Sequence, residues 1–379
     1  MKIVFVSSYL SIHQLPFCRY LHHLLGEDFC FVATKTVPEE RLANGYRDLN
    51  EEYPFVLRDY ADDAPKGAAL QRIEQADMVI HGSAPWEYVE HRLKQGKLTF
   101  LYSERLYKAG VRRWKLPVRA VRFYKKYGRH KNLYLLCASA YTAGDFARTG
   151  TFLNKAYKWG YFPEVKQYDD IDRLLDCKEP ASILWVGRFL DWKHPEAVVE
   201  VARRLRRDGY DFQMKLIGSG ETWDDINRMV EENDLQQQVL LPGAVPSEEV
   251  REYMEAAAIY LFTSDRNEGW GAVLNESMNS ACAVVASDAI GAVPFLLKDG
   301  ENGLVYHSGN VDELYEKVRS LLDDPERGRT LGRKAYETMM GPWNAEAAAR
   351  RLLKLAQALL AGEKRPELFE EGPCSRAEA

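Results

Sequence analysis

No Gly-x-Gly-x-x-Gly turn follows the opening apolar run of this 379-residue chain, which argues against a dinucleotide cofactor. Runs of about 18 or more apolar residues are also missing, so no transmembrane helix is expected. The six cysteines, Cys18, Cys30, Cys137, Cys177, Cys282 and Cys374, include no Cys-x-x-Cys pair. That removes the usual zinc and disulfide frameworks and leaves reduced, small core residues of a cytosolic protein. No internal repeat and no low-complexity tract is present. A net charge of −5 excludes general nucleic-acid binding. The opening Met1-Lys-Ile-Val-Phe-Val-Ser7 is too short and too β-branched for a signal peptide and reads as a first strand. Asp170-Ile-Asp172 has the spacing of some metal-dependent transferases, but it falls in an acid-rich linker and reads as solvated charge. No metal is expected.

What the chain does have is alternation. Apolar residues are 46% and charged residues 28%, as in an ordinary globular enzyme, and the length suits two domains. Strands are expected at 2–7, 29–34, 77–81, 98–102, 133–137 and 156–159, with helix-period stretches at 14–25, 86–94, 115–127 and 140–148. The alternation resumes after residue 180 with runs such as Ile183–Val186, Ile259–Phe262 and Ala283–Ala286. Strands alternating with helices predict parallel sheets covered on both faces, here in two doubly wound Rossmann-like domains facing across a cleft. The expected divisions are a first domain over 1–165, a linker at 166–180 and a second domain over 181–341. An amphipathic helix at 342–361, crossing back to the first domain, and a disordered polar tail at 362–379 complete the chain.

Ligands of open α/β sheets bind beyond the C-terminal ends of strands, which is where chemistry should be sought. After Ile183–Val186 comes Gly187-Arg188 and, five residues on, Lys193. Two fixed cations at a strand end suit a leaving diphosphate; the same residues also read as two solvated surface charges. After Ile259–Phe262 comes Glu268-Gly269-Trp270-Gly271-Ala272, and Glu276 follows. The Gly-Trp-Gly step opens a helix whose free N–H groups form a phosphate site. Glu276 would accept hydrogen bonds from ribose hydroxyls and Glu268 from a sugar. The plainer alternative is a helix with acidic residues complementing its dipole.

Glu-Gly-Trp-Gly-x4-Glu, with seven residues between the glutamates, resembles the signature of retaining glycosyltransferases of family 4. The Gly-Arg-x4-Lys spacing is similar to that family's diphosphate clamp. The resemblance runs over most of 182–361 and includes Leu216-Ile-Gly-Ser-Gly-Glu221 and Asp299-Gly-Glu-Asn-Gly-Leu304. It implies a GT-B fold, a nucleotide diphosphate sugar as donor (a UDP-sugar favoured), retention, and no metal or other cofactor. By position, Arg188 and Lys193 would bind the diphosphate, Glu276 the ribose, Glu268 the donor sugar, and the loop at Val245 the base. Ser280-Ala-Cys-Ala283 and Gly291-Ala-Val-Pro-Phe295 depart from the family's usual Ser-Gly-Cys-Pro and Gly-Gly-x-Pro-Glu.

The first half is less typical, resembling bacterial surface-polysaccharide transferases. Ser7–Pro16 lacks the Gly-Gly turn often found after strand one, and Tyr102-Ser103-Glu104 stands where the family often has His. Strand-end polar residues mark an acceptor side: His13, Gln14, His81, Ser83, Tyr102 and Glu104. Between Lys108 and Lys131 lie ten Lys or Arg and no acid, which leaves −15 on the rest of a chain whose net charge is −5. That segment reads either as a solvated helix face or as a contact with anionic membrane, suiting a lipid-linked glycan acceptor at the inner face of the membrane. The competing functions are a sugar-nucleotide epimerase of similar fold and a non-catalytic nucleotide-sugar or glycan-binding subunit.

Overall fold

A computed structural model describes residues 1–39, 42, 47–62 and 67–378, apart from the Arg113 side chain. The chain divides into two compact units, Met1–Glu164 with Asn344–Ala379, and Val165–Trp343.

The first unit holds seven parallel strands: β1 (Ile3–Ser7), β2 (Phe29–Ala33), β3 (Val56–Arg58), β4 (Met78–His81), β5 (Thr99–Ser103), β6 (Leu133–Cys137) and β7 (Ala156–Lys158). Their order is β3-β2-β1-β4-β5-β6-β7. Strands β1, β2, β4 and β6 are buried along their whole length, as strands covered on both faces must be. The short edge strand β3 escapes sequence reading because three half-buried residues carry no period. Helix Ala345–Leu360 belongs to this unit and packs beside helix Leu15–Leu25.

The polar tail is not disordered within the described residues. Arg376 bridges Tyr157 on the open edge of β7, and the N–H groups of Lys158 and Cys374 bond Ser375 O and Lys158 O, each at 2.8 Å. Cys374 is buried, and the Arg376 guanidinium lies 5.3 Å from the Tyr157 ring centre. An edge strand offers unpaired backbone groups, and those bonds order a segment whose composition alone reads as solvated.

The second unit is a six-stranded parallel sheet, β10-β9-β8-β11-β12-β13. Its strands are β8 (Glu179–Val186), β9 (Gln213–Ile217), β10 (Val239–Gly243), β11 (Ala257–Phe262), β12 (Ala283–Ser287) and β13 (Leu304–Tyr306). Its core joins Ile183, Trp185, Met214, Leu216 and Val285 to the inner faces of helices Pro195–Arg207 and Val311–Asp323.

The expected linker at 166–180 is instead part of this unit. Asp170 caps a helix, Ile171–Asp176, by accepting from Asp172 N at 2.9 Å and Arg173 N at 3.2 Å. Asp172 pairs with Arg333. These two aspartates are therefore a helix cap and an ion-pair partner, not merely solvated charge. Lys178 Nζ donates to the carbonyls of Ala257 and Ser280, both at 2.8 Å, which ties the entry of β8 to the sheet.

Candidate active site

In the second unit, β8 lies between β9 and β11, so the connections leaving the sheet diverge there, at the strand ends where open α/β sheets take ligands. Gly187 and Arg188 follow β8, and Lys193 closes a 3₁₀ turn, Asp191–Lys193. Two glycines explain how tightly the floor is built. A Cβ on Gly218 would meet Gly187 O at 1.9 Å, and one on Gly220 would meet Phe189 N at 2.7 Å. Both glycines also have positive φ, 138° and 154°. Gly218-x-Gly220 is thus a close approach of β9's end to the turn after β8, not part of a dinucleotide motif. Val245 is half-buried in the loop after β10, two residues beyond Gly243, whose carbonyl accepts from Gly218 N at 2.9 Å.

The loop after β11 is fixed by bonds that few sequence patterns would reveal. Trp185 Nε1 donates to Thr263 Oγ1 at 3.0 Å, and Thr263 Oγ1 donates to Lys193 O at 2.6 Å. Asp265 N donates to Trp192 O at 2.9 Å. The β8 and β11 loops are thereby sewn together. Thr263 belongs to no sequence motif, and its place directly after β11 is the one local signal of its role.

Lys193 Nζ forms an ion pair with Glu268, and each side chain is only 13% exposed. Ser264 Oγ donates to the same carboxylate at 3.2 Å. Arg188 is exposed, and among the described residues no carboxylate lies within ion-pair distance of it. The site so holds one cation neutralised internally and one open to an anion.

Gly271, with φ 92°, caps helix Ala272–Asn279, and a Cβ there would press on the Phe262 ring at 2.5 Å. Gly269 precedes the cap, and Ala272 supplies the first helical N–H, which has no intrahelical acceptor. The Trp270 indole is buried and bonded to Asn275 Oδ1 at 2.9 Å, packed against Trp343 and Phe295. Trp270 O in turn accepts from Ala292 N at 3.1 Å. Glu276, one turn into the helix, makes no side-chain hydrogen bond among the described residues. Burial pushes its carboxyl above the ordinary value, with Arg251 pulling the other way. A half-buried carboxylate without a donor is poised to accept from hydroxyls.

In the first unit the same topological reversal falls between β1 and β4, and a cavity of about 650 Å³ opens there. His13, Gln14, His81, Ser83, Tyr102 and Glu104 all line it, so the six acceptor-side candidates share one cavity. Their availability differs. Ser83 Oγ is taken up by Ser7 and Ser8, each at 3.1 Å, in a clasp between β1 and β4. Tyr102 OH donates to Gly160 O at 3.2 Å, and His13 stacks on Tyr161 with ring centres 5.4 Å apart. Glu104 accepts from Lys108 at 2.7 Å and from the Tyr161 hydroxyl. His81 donates from Nε2 to Pro85 O at 3.3 Å, and burial lowers its pKa to about 4, so the ring is neutral with Nδ1 as a bare acceptor. Nδ1 of His81 and Oε1 of Gln14 are buried without a partner. Trp86, Lys126, Tyr127 and Tyr161 also line the cavity, and none was singled out for it from sequence.

Residues 169–338 match the family of glycosyl transferases group 1. Similar curated proteins include an uncharacterized glycosyltransferase of Methanocaldococcus jannaschii, 31% identical over 154 residues, which are 41% of this chain and 42% of that one. Another is alpha-D-kanosaminyltransferase of Streptomyces kanamyceticus, 29% identical over 170 residues, or 45% and 44% of the two chains. The match thus spans less than half the length of these relatives. Among solved structures, Anabaena HepE in complex with UDP aligns with a TM-score of 0.68 at 14% identity, over 94% of this chain and 100% of that one. Sucrose-phosphate synthase of Thermosynechococcus elongatus gives 0.63 at 19% identity, over 95% and 100%. At these identities the likeness establishes the fold, which is GT-B.

Proposed function

We propose that the protein is a retaining glycosyltransferase that moves a hexose or hexosamine from a nucleotide diphosphate sugar to a hydroxyl of a glycan or lipid-linked glycan. The reading is carried by one arrangement: Arg188, Lys193 and the N-terminus of helix Ala272–Asn279 follow the neighbouring strands β8 and β11, with Lys193 paired to Glu268 and Glu276 one turn into the helix. Three sources of positive potential at one strand end suit the charge that develops on a departing diphosphate. They supply it without a divalent cation, so transfer is independent of metal. The HepE structures were solved with UDP and UDP-glucose, and that supports a UDP-sugar over other donors.

In this reading the diphosphate oxygens bind Arg188, Lys193 and the helix N–H groups. Glu276 accepts from the ribose hydroxyls, Glu268 from the donor sugar, and the backbone at Val245 from the base. Retention follows if the acceptor hydroxyl attacks the face that the diphosphate leaves, with a phosphate oxygen taking its proton. The acceptor would occupy the first unit's cavity, where Gln14 Oε1 and His81 Nδ1 await donors.

A thermal-shift panel of UDP-, GDP-, ADP- and TDP-sugars tests this. A donor at 100 times its Kd should stabilise by about 2.7 kcal/mol. No response to any of the four would refute the donor site. An epimerised sugar formed from donor alone would refute transfer.

A further inference from the structure

We propose that the segment Leu106–Lys131 is a docking surface for an anionic lipid bilayer. The segment folds as a 3₁₀ turn, Arg113–Lys115, an α-helix, Leu116–Phe123, and a π-turn, Tyr124–Gly128. Its inner side is anchored by ring contacts: Phe123 packs on Tyr127 and Phe146 with ring centres 5.2 and 5.7 Å apart, and Tyr127 packs on Trp86 at 5.3 Å.

The outer side is apolar as well. Trp114 is 75% exposed, Val118 75%, Val121 59% and Tyr124 62%. Spacings of four, three and three residues put them on one helical face. The ring contacts of Phe123 lie on the other side, so this second apolar stripe stays exposed, and water disfavours it.

The cations around the stripe decide the partner. Arg112, Lys115, Arg122, Lys125 and Lys131 are exposed, and none has a carboxylate within ion-pair distance among the described residues. Exposed aromatic and aliphatic side chains interleaved with unpaired cations are what an anionic lipid surface takes: rings at headgroup depth, cations on phosphates. Lys126 and Tyr127, directly after the stripe, line the first unit's cavity, and so does Leu106. Docking would therefore bring the cavity to the headgroup layer, where a lipid-linked sugar presents its hydroxyls. Bilayer binding itself needs neither donor nor acceptor, so it stands or falls apart from the transferase reading.

The test is flotation of the full chain with phosphatidylcholine vesicles containing about one third phosphatidylglycerol, against phosphatidylcholine alone, at low and physiological salt. The wild type should float with the anionic vesicles and stay behind with the neutral ones. Trp114→Ala/Tyr124→Ala and Arg122→Glu/Lys125→Glu should each lower the bound fraction about tenfold with unchanged melting temperature. These side chains are exposed, so folding is a separate readout. Wild type that fails to float on anionic vesicles, or double variants that float as well as it does, would overturn the proposal. So would retention on a soluble polyanion without binding to vesicles, which would mark a surface for an acidic macromolecule.

Discussion

Lys193 and Glu268 neutralise one another in the ligand-free site, so the diphosphate must compete with a carboxylate for its cation. This makes the two residues respond with opposite sign. Lys193→Ala removes a donor to the leaving group and should lower turnover by about 10²–10³, or about 3–4 kcal/mol of transition-state stabilisation. It also strands Glu268, whose remaining side-chain donor is Ser264 at 3.2 Å and whose side chain is 13% exposed. Removing one partner of so enclosed a pair costs about 3 kcal/mol, which should lower the melting temperature by about 6–12 °C. Glu268→Gln does the reverse to the cation. It frees Lys193, so UDP, which has no sugar to lose, should bind as tightly as before or several-fold more tightly. Turnover of the UDP-sugar should nonetheless fall, because the sugar loses its acceptor. Calorimetry with UDP and release of UDP during transfer measure the two effects separately. If Lys193→Ala transferred sugar at the wild-type rate, or if Glu268→Gln weakened UDP and UDP-sugar alike, the assignment of the clamp would be wrong.

Gly218→Ala should abolish donor binding and lower the melting temperature, because the new Cβ meets Gly187 O at 1.9 Å on a backbone with φ 138°; differential scanning fluorimetry with and without UDP-sugar reads both. Glu276 has its carboxyl pKa raised by burial, so the folded state holds that proton more tightly, and its contribution to stability falls as pH rises from the ordinary carboxyl range through the raised value. Glu276→Gln should remove that pH dependence in urea melts while weakening donor binding by about tenfold, a cost to function without a cost to folding. His81 runs the other way: its folded pKa is about 4 against 6.5, so stability present above about 6.5 is lost as pH falls toward 4. Urea titrations of wild type and His81→Gln at several values between pH 4 and 7 should converge at the acid end, and parallel curves would contradict a buried neutral ring.

The second unit was legible in the sequence because its chemistry pins backbone as well as side chains. Each motif residue follows an apolar strand run, and strands at Ile183, Ile259 and Ala283 lie where the periods put them. What was not legible were bonds between loops. The Thr263 link from Trp185 to the Lys193 carbonyl depends on two strands becoming neighbours, which no local period announces. The stretch at 166–180 failed for a related reason: acidic residues and a proline read as linker, while a cap at Asp170 and the carbonyl cage around Lys178 made it structure. The tail failed likewise, since the open edge of β7 that orders it lies some 200 residues earlier in the chain.

The first unit shows what replaces a missing glycine. A Gly-Gly turn after β1 would let backbone approach a ligand closely, whereas Ser7 and Ser8 carry side chains that fill that space. Their hydroxyls close on Ser83 instead, and Leu10 N is held by Asn50 Oδ1 at 2.9 Å, which fixes the path of the loop into helix Leu15–Leu25. Gly82 marks how close that clasp is, since a Cβ there would meet Ser7 Oγ at 2.8 Å. In the proposed reading, a loop tied on both sides leaves the selection of an acceptor to side chains already in place. Those are a stacked His13, bare acceptors on His81 Nδ1 and Gln14 Oε1, and a Glu104 held by Lys108 and Tyr161. An acceptor matched to them would present hydroxyl donors to His81 and Gln14. One that brought only acceptor groups would leave both buried atoms unpaired and bind weakly.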